Sequence, residues 1–256
     1  MWLGGMRSFR IILNIIVYKY HMLKVIIVPV TDVVVTDYLV LLSNAERERT
    51  LRFKTLLGQQ EHLCSYLLQR HVILSECPQL RNADLVFDRT DARGKQQGKP
   101  YCLNAPKVHY SVSHSHGCVV VAYSSSAECG IDAEVIRPNI RQILSKQFGS
   151  DNGFNNLNER QATKFWTRLE AYLKYIGLGL SGLDRIVCTT VSENHISESD
   201  GNCCVHFEDK TEQCESFGSL IFTDISDHLS DDHVGCVVSN EELDSIRTQT
   251  LQELKS

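Results

Sequence analysis

Between Val108 and Glu134 the chain spells out three strands in succession, and this run constrains the fold more than any other segment. Val108-His109-Tyr110-Ser111-Val112-Ser113-His114-Ser115 alternates as a half-buried strand does. Cys118-Val119-Val120-Val121-Ala122-Tyr123 is apolar throughout, and Cys129-Gly130-Ile131-Asp132-Ala133-Glu134 sets carboxylates two apart. Side chains two apart on a strand share a face, so Asp132 and Glu134 point the same way.

Helical patterns flank this run. Ser43 or Asn44 can cap a helix whose first turn holds Glu46 and Glu48, and Arg47, Arg49 and Arg52 follow within two turns. A second helix is expected from about Gln59 to Leu74, with Leu63, Leu67, Leu68, Val72 and Ile73 at helical spacing and Pro78 beyond its end. A long helix runs from about Asn158 to Ile176, carries Phe165, Trp166, Leu169, Tyr172 and Leu173, and stops at Gly177 and Gly179. Val25-Ile26-Ile27-Val28 reads as a buried first strand, and Arg185–Val191, Cys204–Phe207, Ser219–Thr223 and Val234–Val238 as short strands. Residues 88–100 form a polar basic loop, and Pro138 with 139–156 marks a break. The fold class is α+β. Ser115–Val120 is echoed by His233–Val238, which suits two similar α+β halves and also suits chance.

The 256 residues, 43% of them hydrophobic, suffice for a core and exclude whole-chain disorder or a fibre. The net charge of −5 hides a split: residues 191–256 hold 15 acidic and 3 basic side chains, net −12, leaving 1–190 at net +7. The larger part attracts anions. Ten cysteines without a C-x-x-C pair read as reduced thiols in a cytoplasmic protein, with zinc the minority reading. The apolar run Ile11–Val17 is too short to span a bilayer, and Lys19, His21 and Lys24 stand where a signal cleavage site belongs. Export and a membrane are set aside, and residues 1–21 read as an appended segment or the product of an upstream start codon.

Asp132 and Glu134 form either a solvated strand face or a pair of hard oxygen ligands suited to Mg²⁺. Glu170 and Lys174, i and i+4, normally make a surface ion pair, but here aromatics and a glycine exit bracket them. His109, His114 and His116 raise a weak zinc-hydrolase reading. His114 between Ser113 and Ser115 suits an anion better, and Gly98-Lys99-Pro100 adds a cation on a stiff turn.

In this order, the basic helix, Gly98-Lys99-Pro100, Ser113-His114-Ser115, Gly130-Ile131-Asp132-Ala133-Glu134 and Trp166-Thr167-Arg168-Leu169-Glu170-Ala171-Tyr172-Leu173-Lys174 resemble the 4′-phosphopantetheinyl transferases of the surfactin-synthetase-activating type. The resemblance covers Met22 to about Ser239. It implies two pseudo-symmetric α+β halves, 22–127 and 128–240, with the active site in the cleft between them and a C-terminal helix or tail at 241–256. It further implies a cytoplasmic, monomeric, Mg²⁺-dependent enzyme, a holo-[acyl-carrier-protein] synthase. Such an enzyme moves 4′-phosphopantetheine from coenzyme A to a serine of an acyl or peptidyl carrier protein and releases adenosine 3′,5′-bisphosphate. Neither nucleic acid nor a membrane is among its expected partners.

By the same resemblance Asp132, Glu134 and Glu170 hold Mg²⁺, and Glu170 or a metal-bound water takes the serine proton. Lys174 reaches the transferring phosphate, and Arg49, Gly98, Lys99, Pro100, Ser113 and His114 bind coenzyme A. Two positions depart from the family pattern: Leu169 stands where a lysine usually precedes the helix glutamate, with Arg168 as a possible substitute about 100° around the helix, and Glu46 replaces a basic residue of the coenzyme A helix. These departures leave open a catalytically weak or inactive paralogue that binds coenzyme A or a carrier protein without turnover.

Overall fold

The computed structural model describes residues 22–30, 33–89, 98–149, 153–188, 207–209 and 220–253. The expected segment 1–21, most of the basic loop, the far end of the strand expected to reach Val191, the start of the one expected from Cys204, and Cys203, Cys204 and Cys214 lie outside these residues.

The apolar run after Met22 is β1 (Leu23–Pro29). Ser43 caps α1 (Asn44–Leu51) by accepting from the Glu46 N–H, and Glu46 returns the bond to the Ser43 N–H in a capping box. α2 (Leu56–Glu76) follows, then the short pair β2 (Phe87–Asp88) and β3 (Tyr101–Cys102). The three expected strands are β4 (His109–Ser115), β5 (Cys118–Ser124) and β6 (Cys129–Val135). His116 (φ 48) and Gly117 (φ 87) turn β4 into β5, both with the positive φ of a tight hairpin. α3 (Ile140–Phe148), α4 (Glu159–Tyr175), β7 (Ile186–Cys188), β8 (Phe207–Asp209), β9 (Ile221–Asp224), β10 (His233–Ser239) and β11 (Leu243–Thr248) complete the described elements.

Two sheets, ordered β11-β1-β5-β4 and β6-β10-β9, lie between helices. α2 covers the first sheet with Leu63, Leu68, Val72 and Ile73 against Ile26, Val28, Val119 and Val121. The opposite face of that sheet, Val25, Ile27, Val120 and Ala122, packs on Ile131, Ala133 and Val237 of the second. Strands β1 and β5 are therefore buried on both faces, which is why their sequences run apolar without alternation. α4 closes the far side through Ala171 on Cys236 and Val238, while α3 adds Ile140 and Leu144 to Phe165, Leu169 and Leu173. The echoed segments differ in structure: Ser115–Val120 spans the end of β4, the turn and the start of β5, whereas His233–Val238 lies wholly within β10.

Two expectations are corrected. Within the segment expected as a helix or tail, Leu243–Thr248 is a strand, β11, which pairs in parallel with β1, Ile246 opposite Val25, and so returns to the first half. Its charged residues hide the pattern, but Leu243 and Ile246 pack against the core shared by the two sheets and cover the edge of β1. The break at 139–156 contains α3, whose Ile140 and Leu144 are fully buried one turn apart.

Candidate active site

Gly130 sits directly beneath α4. A β-carbon there would lie 2.0 Å from the Ala171 carbonyl oxygen and 2.5 Å from the Tyr175 backbone nitrogen, so only glycine lets the helix rest on β6. That close approach brings Glu170 and Lys174, one helical turn apart, over the face of β6 that carries Asp132 and Glu134.

Ligand atoms of Asp132, Glu134 and Glu170 all lie within 4.8 Å of one another. Asp132 is 1% exposed, which rules out the solvated strand face. Its Oδ1 accepts from Lys174 Nζ at 2.7 Å and from Ser113 Oγ at 2.7 Å, while Oδ2 is buried with no hydrogen-bond partner. Glu134 accepts from Arg137 at 2.6 Å on Oε1 and from Ser115 Oγ at 3.1 Å on Oε2. Burial and the neighbouring Asp132 carboxylate raise the Glu134 pKa, and the same two causes push Glu170 up to about 7. An orphaned buried oxygen and mutually repelling carboxylates are the arrangement a hard divalent cation relieves, so the donor set fits Mg²⁺.

β4 and β6 are joined by a row of serine hydroxyls. Ser111 Oγ accepts from the Ile131 N–H, Ser113 donates to Asp132, and Ser115 Oγ accepts from the Val135 N–H at 3.1 Å while donating to Glu134. The period-two spacing of these serines sets all three toward the second sheet. Ser113 was expected to donate to a phosphate; its hydroxyl is instead engaged by Asp132. Ser115, expected beside the same anion, likewise serves Glu134 and the Val135 N–H. Arg137 was not singled out by sequence reasoning, although its i, i+3 spacing from Glu134 was readable.

Arg49 is exposed and lines a cavity of about 310 Å³ together with Glu46, Gln69, Arg70, Phe87 and Arg89. Glu46 does not point its charge at an incoming anion, since Arg70 grips both its oxygens at 2.9 and 2.5 Å. His62, also missed from sequence, is pushed down to about 4 by burial and by His114, Arg89 and Arg49 around it. His114 Nδ1 lies 3.4 Å from Glu61 Oε2, and its ring is 5.2 Å from that of His62. The backbone N–H of Gly98 bonds the Arg89 carbonyl at 2.8 Å, and Lys99 beside it is paired with Glu128 at 2.5 Å. The zinc reading fails on geometry: His109 bonds Glu128, and His114 stands five residues along β4, about 16 Å away by strand rise.

Two family models match the chain, the N-terminal region of 4′-phosphopantetheinyl transferase over residues 31–126 and the 4′-phosphopantetheinyl transferase superfamily over residues 128–236. The chain belongs to the 4′-phosphopantetheinyl transferase superfamily. It is similar to the 4′-phosphopantetheinyl transferase ffp of Bacillus subtilis, 31% identical over 57% of this chain and 65% of the relative. It is likewise similar to psf-1 of Bacillus pumilus, 32% identical over 53% of this chain and 58% of the relative, and to Sfp of Bacillus subtilis strain 168, 31% identical over 55% and 62%. The matched region thus spans less than two thirds of each relative's length.

As a member of the 4′-phosphopantetheinyl transferase superfamily, this chain gives its departure at position 169 a structural account. Leu169 is fully buried in the core between α3 and α4, packed with Ile140 and Leu144. Arg168 does not replace the usual lysine: it is buried near Asp224, with its nitrogen 3.9 Å from that carboxylate.

Proposed function

We propose that the chain transfers 4′-phosphopantetheine from coenzyme A to a serine of an acyl or peptidyl carrier protein, releasing adenosine 3′,5′-bisphosphate. The observation that carries this reading is the cluster of buried Asp132 and Glu134 with half-buried Glu170, and Lys174 on its edge. Asp132, Glu134 and Glu170 hold Mg²⁺, which when bound neutralises charge developing on the phosphoryl oxygens.

Arg49 and Arg89 attract the 3′-phosphate end into their cavity, and His114 with the Gly98-Lys99-Pro100 turn flanks the adenosine. Lys174, held at Asp132 on the edge of the cluster, balances the charge of the pyrophosphate. The carrier serine Oγ attacks the β-phosphorus, the bond from that phosphorus to the bridging oxygen breaks, and the serine proton passes to a Glu170 carboxylate oxygen. The chain acts as a monomer in the cytoplasm; among the described residues no helix is long and apolar enough to cross a membrane.

Incubation with coenzyme A, Mg²⁺ and a panel of apo carrier proteins, read by mass spectrometry, tests the proposal. One phosphopantetheine adduct on at least one carrier is expected, and its absence from every carrier in the presence of bound coenzyme A favours the non-catalytic paralogue instead.

A further inference from the structure

Glu128 stands at the junction of the two family matches, immediately before β6, and none of the recognised motifs includes it. Its backbone carbonyl accepts from Ser239 Oγ at 2.9 Å, which fixes it to β10 of the second sheet. Its carboxylate reaches the other way, into the first half. Oε2 takes the Lys99 ammonium at 2.5 Å, and Oε1 meets His109 Nδ1 at 2.7 Å. Lys99 Nζ also donates to the Cys129 carbonyl at 2.6 Å. Lys99 is only 15% exposed, and two of the three protons on its ammonium are thereby engaged.

From this geometry we infer that Glu128, braced by His109, is a positioning residue: it clamps the Gly98-Lys99-Pro100 turn of the first half to the strand that carries Asp132 and Glu134. Lys99 therefore serves the turn and not a phosphate. The inference builds on the transferase reading, because a fixed spacing between the turn and the carboxylate cluster matters only to a ligand that touches both. Three observations agree. Cys129, which Lys99 holds, is three residues before Asp132, about 10 Å along the strand, so Lys99 is tied away from the cluster. Both bonds run from one half to the junction, where the serine row is the other link between β4 and β6. The turn and the clamp also line a common cavity of about 310 Å³, so release of the turn changes its shape.

The clamp is tested first without any ligand. Amine acetylation of the native protein, followed by peptide mass spectrometry, should modify Lys99 far more slowly than the exposed Lys107, and Glu128→Gln should remove that protection. Equal labelling of Lys99 and Lys107 in the wild type overturns the clamp whether or not the chain is a transferase. Steady-state transfer then tests positioning with Glu128→Gln, Lys99→Met and the double variant. Each single change should raise KM for coenzyme A about tenfold with kcat little altered, and the double variant should be no worse than either single. Losses that multiply in the double variant mean that Lys99 contacts phosphate directly, and an unchanged KM in both singles means that nothing is positioned; either overturns the inference. A wild type that transfers to no carrier counts against the transferase reading, while the labelling result stands on its own.

Discussion

The Gly130 α-carbon lies so near α4 that a single added methyl would stand 2.0 Å from the Ala171 carbonyl oxygen. Both partners in that contact are backbone, so no rotamer change relieves it. The contact sets how far Glu170 stands from Asp132, and it makes a small residue on β6 part of the site's geometry.

Gly130→Ala should therefore cost about 3 kcal/mol, the upper range for overpacking, and disrupt the carboxylate cluster. Gly177, at φ +74 with open space around it, pays only the conformational penalty on Gly177→Ala, about 1 kcal/mol. Urea denaturation of the two variants side by side measures the difference, and equal losses would show that the close approach is not what demands glycine.

Without metal, Glu170 should make stability fall as pH rises. Its pKa is raised from 4.5 to about 7 by burial and by Asp132, so the folded state binds the proton more tightly than the unfolded. The contribution is full below about 4.5 and is lost as pH climbs through about 7. Melting temperatures in chelator from pH 5 to 8 should decline, and Glu170→Gln should flatten that decline; an unaltered slope would assign the effect elsewhere.

Coenzyme A binding should take up a proton. His62 is held down to about 4 by burial and by His114, Arg89 and Arg49 around it, and a phosphate among them offsets part of that effect. Calorimetry near pH 5.5 in two buffers of different ionisation enthalpy should give different apparent heats, and His62→Gln should bring them together.

Ser115→Ala leaves the Val135 N–H without its partner and removes one donor from Glu134. A loss of about 1 to 2 kcal/mol is expected in denaturant unfolding, with weaker Mg²⁺ binding by calorimetry. Retention of both would mean that the serine row is not what joins β4 to β6.

Restoring the family's usual lysine should not raise activity. Leu169 is fully buried, so Leu169→Lys drives an ammonium into the core beneath α4 and should cost at least about 3 kcal/mol, visible as a large drop in melting temperature. A folded variant with faster transfer would show that position 169 faces the site.

Much of the local structure was legible because it repeats at short range. The apolar run of β5, the serine alternation of β4 and the capping residues of α1 are statements about neighbours two to four positions apart. β11 was not legible, because its pattern is polar and only the edge of β1 makes it a strand. α3 was obscured by the polar residues around Ile140 and Leu144.

The same division holds at the site. Sequence by itself determined which groups are available: Asp132 and Glu134 two apart on a strand, Glu170 and Lys174 one turn apart on a helix, and the order of motifs that identifies the family. Tertiary structure decided their partners. It buried Asp132, turned Lys174 from its helical neighbour to Asp132, gave Ser113 to a carboxylate, tied Lys99 to Glu128 and neutralised Glu46 with Arg70. Each of those outcomes depends on burial and on contacts between residues far apart in the chain, where distance and dielectric are fixed only after the two sheets and α4 have packed together.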